Sequence, residues 1–293
     1  MSASSTGTVP RLTWSNFSRL IRLPSQTGTW LLMLPTLWAL VLSSRGLPPV
    51  RLLVIFALGS FVMRSAGVVL NDLADQSFDR HVARTRQRPL ASGELSREHA
   101  LVVLAVLLTL AALLVVQLNA LTMLLSPAAV LLAALYPFAK RVVHVPQAVL
   151  GIAFGWGTIM AWTASRGTIE NPAWLTFAAT ICWAIAYDTI YALQDVDDDR
   201  RVGVKSSALY FGSRAWLAVG AACAMMLLLL GTAAQSVGIG WTAYGVLAGA
   251  AIVFAKQVNE LRKPVSPVRA FALFHQHVWI GTGILLGLLL GFA

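Results

Sequence analysis

The sequence predicts an all-α polytopic membrane protein of about nine transmembrane helices. Three observations lead there. Of its 293 residues, 57% are hydrophobic and only 12% charged, where an ordinary soluble domain carries about 25% charged residues. The mean hydropathy is +0.72. The apolar residues also gather into nine runs, near 26–43, 50–70, 98–117, 120–138, 146–164, 173–193, 215–234, 237–256 and 271–291. Each is close to the roughly 20 residues that a helix needs to cross a bilayer. Continuous apolar runs suit helices, because barrel strands alternate. Residues 1–293 are read as one integral-membrane domain, with no stretch left for a separate soluble one.

The elements follow in order. Residues 1–24 form a polar, basic tail, and "LTWSNFSRLIRL" (12–23) fits an amphipathic helix lying on the membrane surface. The start lacks the basic-then-apolar pattern of a secretory signal. The second span leads straight into "NDLADQSFDRHVARTRQRPLASG" (71–93), and the fourth ends in "YPFAKRVVHVPQ" (136–147). In the fifth, "GIAFGWGT" reads as small residues for helix packing. No strand precedes it, so it is not a dinucleotide loop. The sixth ends in "YDTIYALQDVDDDRRVGVKSSA" (187–208). Cys182 and Cys223 both fall inside spans, which supports neither a disulfide framework nor a cysteine metal site. The five histidines are read as structural, since even His275 and His277 face different ways on a helix.

With the amino terminus inside, eighteen of the 22 Lys and Arg fall on the inner side. Arg45, Arg51 and Arg166 fall outside, and Arg64 is left within a span. The net charge of +10 is thus explained by orientation in a membrane and implies no nucleic-acid partner. The same count places both ends "NDLADQSFD" and "DVDDDRR" in the cytoplasm.

The acids are distributed unevenly. Four are glutamates, at 94, 98, 170 and 260, while every aspartate lies in one of two segments. Asp72, Asp75 and Asp79 end the second span; Asp188, Asp195, Asp197, Asp198 and Asp199 end the sixth. At about 100° per residue, Arg64, Asn71, Asp72, Asp75 and Asp79 share one helix face. On the sixth span Asp188, Tyr191, Asp195 and Asp199 share another, with Asp197 pointing away and Asp198 at its edge. Like charges at i,i+3 and i,i+4 repel, so something positive must hold each ladder. A hard divalent cation on oxygen ligands is the natural candidate. The segments also share Asp-x-x-x-Asp-Arg-x-Val at 75–82 and 195–202, which fits a duplicated unit facing its copy. Basic residues stand close by: Arg84 and its neighbours, Lys140, Arg141 and Lys205. Metal and cations together suit a diphosphate. Arg64 is costly inside a membrane and points to a polar pocket.

These residues match a known pattern. "NDLADQSFD" fits the N-D-x-x-D-x-x-x-D signature of the UbiA superfamily of intramembrane prenyltransferases, and "YDTIYALQDVDDDRRVGVKSSA" resembles its second aspartate motif. "MRSAG", "HVARTRQRPLASG", "YPFAKRVVHVPQAVLGIAFGWG" and "AYDTIYA" look most like the 4-hydroxybenzoate polyprenyltransferase branch. The resemblance implies nine helices around a central cavity. It implies Mg²⁺ held by Asn71, Asp72, Asp75, Asp79, Asp195 and Asp199 against a polyprenyl diphosphate, with 4-hydroxybenzoate as acceptor in ubiquinone synthesis. On that expectation Arg84, Lys140 and Lys205 bind diphosphate. Arg64, Asn71, Arg141 and Asp188 take the acceptor. Asp72, Asp75, Asp188 and Asp195 carry the chemistry, and Tyr187 and Tyr191 offer ring faces to an allylic cation. The protein then sits in the lipid bilayer, multi-pass, in a bacterial inner membrane with its site on the cytoplasmic side. Other branches that use different acceptors, such as dihydroxynaphthoate, share the aspartates. The rival from another class is a cation transporter, whose acids usually lie near the midplane.

Overall fold

A computed structural model describes residues 11–82 and 85–293. Thirteen α-helices are present among them: α1 (Trp14–Leu20), α2 (Thr27–Ser44), α3 (Val50–Asp79), α4 (Pro89–Ser92), α5 (Arg97–Val115), α6 (Ala120–Val142), α7 (Pro146–Arg166), α8 (Asn171–Ala192), α9 (Val196–Val202), α10 (Ser207–Phe211), α11 (Ala215–Ser236), α12 (Trp241–Glu260) and α13 (Pro267–Leu290). Nine helical stretches among the described residues are long and apolar enough to cross a membrane: α2, α3, α5, α6, α7, α8, α10 running on into α11, α12 and α13.

Local chemistry sets the ends. Asn119 caps α6 by accepting from the Thr122 amide (3.0 Å), and Ser96 caps α5 by accepting from His99 (3.3 Å). Proline opens α7, α8 and α13 in their first turns. Gly167, with φ +75°, closes α7. The expected surface helix is α1, capped by Thr13. Its Leu20, with Ile21 just beyond it, packs with Leu90 and Leu95, docking it at the α4–α5 corner. Arg19 pairs there with Glu94.

The core centres on α8, which packs against α7, α11, α13 and α2. Glycines let α7 come close: a Cβ on Gly151 would lie 2.7 Å from the Ile181 Cα. Trp38 of α2 and Trp183 of α8 meet at 4.8 Å, and the Trp38 indole donates to the Gly281 carbonyl of α13 (3.1 Å). On the other side, α3 packs against α2, α5 and α6.

Of the two acidic ladders expected on continuous helices, one is present and one is not. α3 runs past the apolar window to Asp79, so Asp72, Asp75 and Asp79 all lie on one unbroken helix, as their shared face requires. The sixth span does the opposite. α8 stops at Ala192, and the next three amides bond three residues back, Leu193 to Ile190, Gln194 to Tyr191 and Asp195 to Ala192. α9 then starts at Val196. Asp188, Asp195 and Asp199 therefore do not share one continuous helix. The cause is electrostatic. An α8 continued through Asp199 would set Asp195, Asp197, Asp198 and Asp199 against the negative end of its own dipole. A fresh helix puts the same acids at its N-cap and in its first turn, where the dipole favours them.

Candidate functional site

α2, α3, α5, α6, α7 and α8, with Phe271 and Phe274 of α13, frame a cavity of about 860 Å³. α11 and α12 contribute nothing to its wall; they back α8 and α13. The cavity has two ends. At one, Ile55, Phe56, Val115, Met123 and Met160 make an apolar lining. At the other stand Arg22, Asp72, Asp79, Arg88, Lys140, Asp188, Asp195 and Asp199. The wall that α3 supplies runs from Ile55 to Asp79, about 36 Å at the helical rise, comparable to the roughly 30 Å of a bilayer's hydrocarbon core.

The first acidic segment is heavily engaged. Asp72 is buried, and the Arg22 guanidinium donates to both of its oxygens at 2.9 Å. Arg88 donates to Asp72 Oδ1 (3.1 Å) and to Asp79 Oδ2 (2.8 Å), tying two rungs together. Arg22 adopts a left-handed backbone (φ 57°) after α1. Burial draws its guanidinium below the ordinary value; Asp72 opposes this and Arg88 adds to it. Asp75 is fully buried, and its Oδ2 pairs with Lys140 of α6. Its Oδ1 has no hydrogen-bond partner among the described residues, and the Arg141 guanidinium stays 3.6 Å away.

In the second segment Asp188, Tyr191, Asp195 and Asp199 all line the cavity. Asp197 faces solvent and pairs loosely with Arg200 (4.0 Å). Tyr187 lines the cavity while packed edge-on against Trp183 (5.4 Å), and Tyr191 lies over Phe274 (4.7 Å). Asn71 and Arg64 also reach the wall. His277 is structural, as expected: its Nδ1 accepts from the Trp183 indole (2.9 Å).

Three residues expected at the site do not reach the cavity wall. Asp75 stands behind Lys140. Arg141 donates to the Ala74 carbonyl (2.9 Å) and lies 5.1 Å from each of the Phe78 and Phe138 rings. Lys205 donates through its amide to the Lys140 carbonyl (3.0 Å) and through Nζ to that of Val142 (2.7 Å), tying the segment after α9 to the end of α6. Arg84 lies outside the described residues. Conversely, Arg22 was absent from the expected set. It sits 50 residues from Asp72 in sequence, and its only signal is a basic residue just ahead of the first span.

The donor set fits a hard divalent cation. Every candidate ligand is an oxygen, and the buried Asp75 Oδ1 lacks a donor. Among the described residues no three Asp, Glu, His or Cys converge on one point. Mg²⁺ does not need that, since it commonly takes one or two carboxylates and completes its octahedron with substrate phosphates and water.

The UbiA prenyltransferase family model matches residues 32–279. The chain belongs to the UbiA prenyltransferase family. A 4-hydroxybenzoate octaprenyltransferase of Pseudomonas aeruginosa (strain UCBPP-PA14) is 44% identical over 280 residues, 95% of this chain and 94% of that protein. The apo structure of a UbiA homolog from Aeropyrum pernix K1 superposes with a TM-score of 0.76 at 27% identity, over 89% of this chain and 97% of that one. A UbiA homolog from Archaeoglobus fulgidus bound to GPP and Mg²⁺ shares the fold at a TM-score of 0.66 and 16% identity, over 92% and 99% of the two chains. The helical fold of this UbiA-family chain is thus the one those homologs share, and its two aspartate segments lie at the polar end of one chamber.

Proposed function

We propose that this chain transfers a polyprenyl group from polyprenyl diphosphate to the ring of 4-hydroxybenzoate, ortho to the hydroxyl, releasing diphosphate. The observation that carries this reading is the shape of the cavity. Two acidic segments more than a hundred residues apart open on its polar end, and an apolar channel leads away from them. That arrangement suits a substrate with an anionic head and a long hydrocarbon tail. The acceptor comes from the name of the Pseudomonas relative.

Asn71, Asp72, Asp75, Asp79, Asp195 and Asp199 would hold Mg²⁺, which when bound neutralises the diphosphate and eases its departure. Arg22, Arg88 and Lys140, all on the wall, bind the phosphate oxygens that remain. The bond between the allylic carbon and the diphosphate oxygen breaks, and its electron pair leaves with the diphosphate. A ring carbon of the acceptor forms the new carbon–carbon bond and then loses its proton. Arg64 pairs the acceptor's carboxylate, and Asp188 orients the phenol or receives the proton. Tyr187 and Tyr191 present ring faces to the allylic cation, and the apolar wall keeps water from it. By the positive-inside count, the polar end faces the cytoplasm of a bacterial inner membrane.

The test uses membranes carrying the protein, supplied with Mg²⁺, geranyl diphosphate and a panel of aromatic acids. Prenylated 4-hydroxybenzoate is expected. Full turnover by Asp75→Ala and Asp195→Ala would refute the metal assignment, and turnover of dihydroxynaphthoate alone would refute the acceptor. Cation flux across liposomes without prenyl substrate would favour a transporter.

A further inference from the structure

Most basic residues at the polar end of the cavity are matched to carboxylates: Arg22 and Arg88 to Asp72, Lys140 to Asp75. Arg64 differs. It lines the cavity from the middle of α3, and among the described residues it makes no ion pair. What it does meet is the first turn of α2. A Cβ built on Gly28 would lie 2.5 Å from Arg64 Nε, 2.6 Å from Nη2 and 2.9 Å from Cζ. Gly28 itself lines the cavity.

We propose that Gly28 is a positioning residue for the aromatic acceptor: lacking a side chain, it leaves the first turn of α2 as the seat of the Arg64 guanidinium and so aims that group at the acceptor's carboxylate. The inference rests on the assignment of Arg64 to the acceptor. Backbone conformation does not call for glycine here. The positive-φ glycines are Gly46, Gly93, Gly167, Gly203, Gly212 and Gly238, and Gly28 is within a regular helix. Glycine inside a helix is less favourable than alanine. The contact with Arg64 is what a methyl group here would disturb. The amino-terminal end of α2 also carries partial positive charge, which alone would repel a guanidinium. A carboxylate between the two would draw on the Arg64 N–H groups and on the helix end together. All three nearest atoms belong to the guanidinium, the free end of a flexible side chain. A methyl group at position 28 therefore moves the guanidinium and spares the α2 backbone.

The experiment measures steady-state kinetics of Gly28→Ala, Arg64→Ala and the double variant, varying 4-hydroxybenzoate and prenyl diphosphate separately. Thermal unfolding in detergent accompanies it, and calorimetric binding of 4-hydroxybenzoate covers any variant too slow to assay. Gly28→Ala is expected to raise the acceptor KM about ten- to a hundredfold, the weight of a charge-assisted contact. The donor KM should stay within about twofold, and the unfolding midpoint should hold or rise. In the Arg64→Ala background the same substitution should change the acceptor KM by less than about twofold, because the group it displaces is gone. An equal loss of kcat or stability in both backgrounds overturns the proposal and makes Gly28 a helix-packing glycine. An unchanged acceptor KM in Arg64→Ala overturns the assignment of Arg64 beneath it, a distinct result.

Discussion

Lys140 offers the sharpest test of how the first acidic segment is held. Asp75 is fully buried, while the Lys140 side chain retains 31% of its exposure and Arg141 stands 3.6 Å off. Removing one member of a fully buried pair costs about 3–5 kcal/mol, because the other charge is left unpaired. Here the lysine is partly wet and a second cation is close, so about 2 kcal/mol is expected for Lys140→Met. Asp75→Asn should cost less, about 1 kcal/mol, since the freed lysine can reach water. The double variant carries neither charge and should recover about 1–2 kcal/mol relative to the sum of the single losses. Thermal unfolding in detergent, followed by tryptophan fluorescence, reads the effect as a midpoint drop of about 4–8 °C for Lys140→Met. Additive losses, or a Lys140→Met variant as stable as the parent, would refute a buried Asp75–Lys140 pair. Stability is the right readout because Lys140 also lines the cavity, so loss of activity alone would not separate its two roles.

Chelating divalent cations should abolish turnover, and added Mg²⁺ but not Na⁺ should restore it, as measured by product formation in membranes. Gly151→Leu should destabilise by about 1–3 kcal/mol or more in the same unfolding assay, because the first added carbon already meets the α8 backbone at 2.7 Å. Glu94 is held below its ordinary value by the hydrogen bond from Arg19. A depressed carboxylate contributes stability that is present above its unfolded value of 4.5 and is lost as pH falls through the folded one. Both side chains are more than a third exposed, so screening limits the contribution to about 0.5 kcal/mol. Glu94→Gln should therefore differ slightly from the parent at pH 7, and the difference in midpoint should vanish toward pH 3.

How much of this was legible in the sequence depends on which forces are local. Burying apolar residues in lipid is a property of each segment alone, so windows of hydropathy found all nine spans to within a few residues, except where α3 ran on and α10 extended the seventh. Clustering of aspartate was equally visible and marked the polar end of the cavity. The break after Ala192 was not, because hydropathy carries no sign of the helix dipole that favours a new start at Asp195. The facing of Arg141 and Lys205 was hidden too. Both lie just beyond or at the end of α6 or α9, where a turn of backbone decides between the cavity and a neighbouring carbonyl. Gly28 reads as an unremarkable helix residue until the tertiary contact with Arg64, 36 positions away, gives it a reason.

The acidic ladder itself shows where inference from spacing stops. Repulsion among Asp72, Asp75 and Asp79 demands a positive partner, and a divalent cation is one solution. The fold supplies another. Arg22 arrives from the segment after α1, Arg88 from the loop before α4 and Lys140 from the end of α6, and together they answer all three carboxylates. Spacing alone therefore does not establish a metal, since guanidinium and ammonium groups quench the same repulsion. What still distinguishes a cation seat is the leftover valence. A buried carboxylate oxygen without a donor is costly, and Asp75 Oδ1 is such an atom, beside a lysine that itself faces the cavity. An isosteric Asp75→Asn keeps the shape and removes that hard donor. If Mg²⁺ raises the unfolding midpoint of the parent in the presence of diphosphate and does so equally in Asp75→Asn, the orphaned oxygen is not part of the metal's shell and the ion takes its ligands from the other carboxylates.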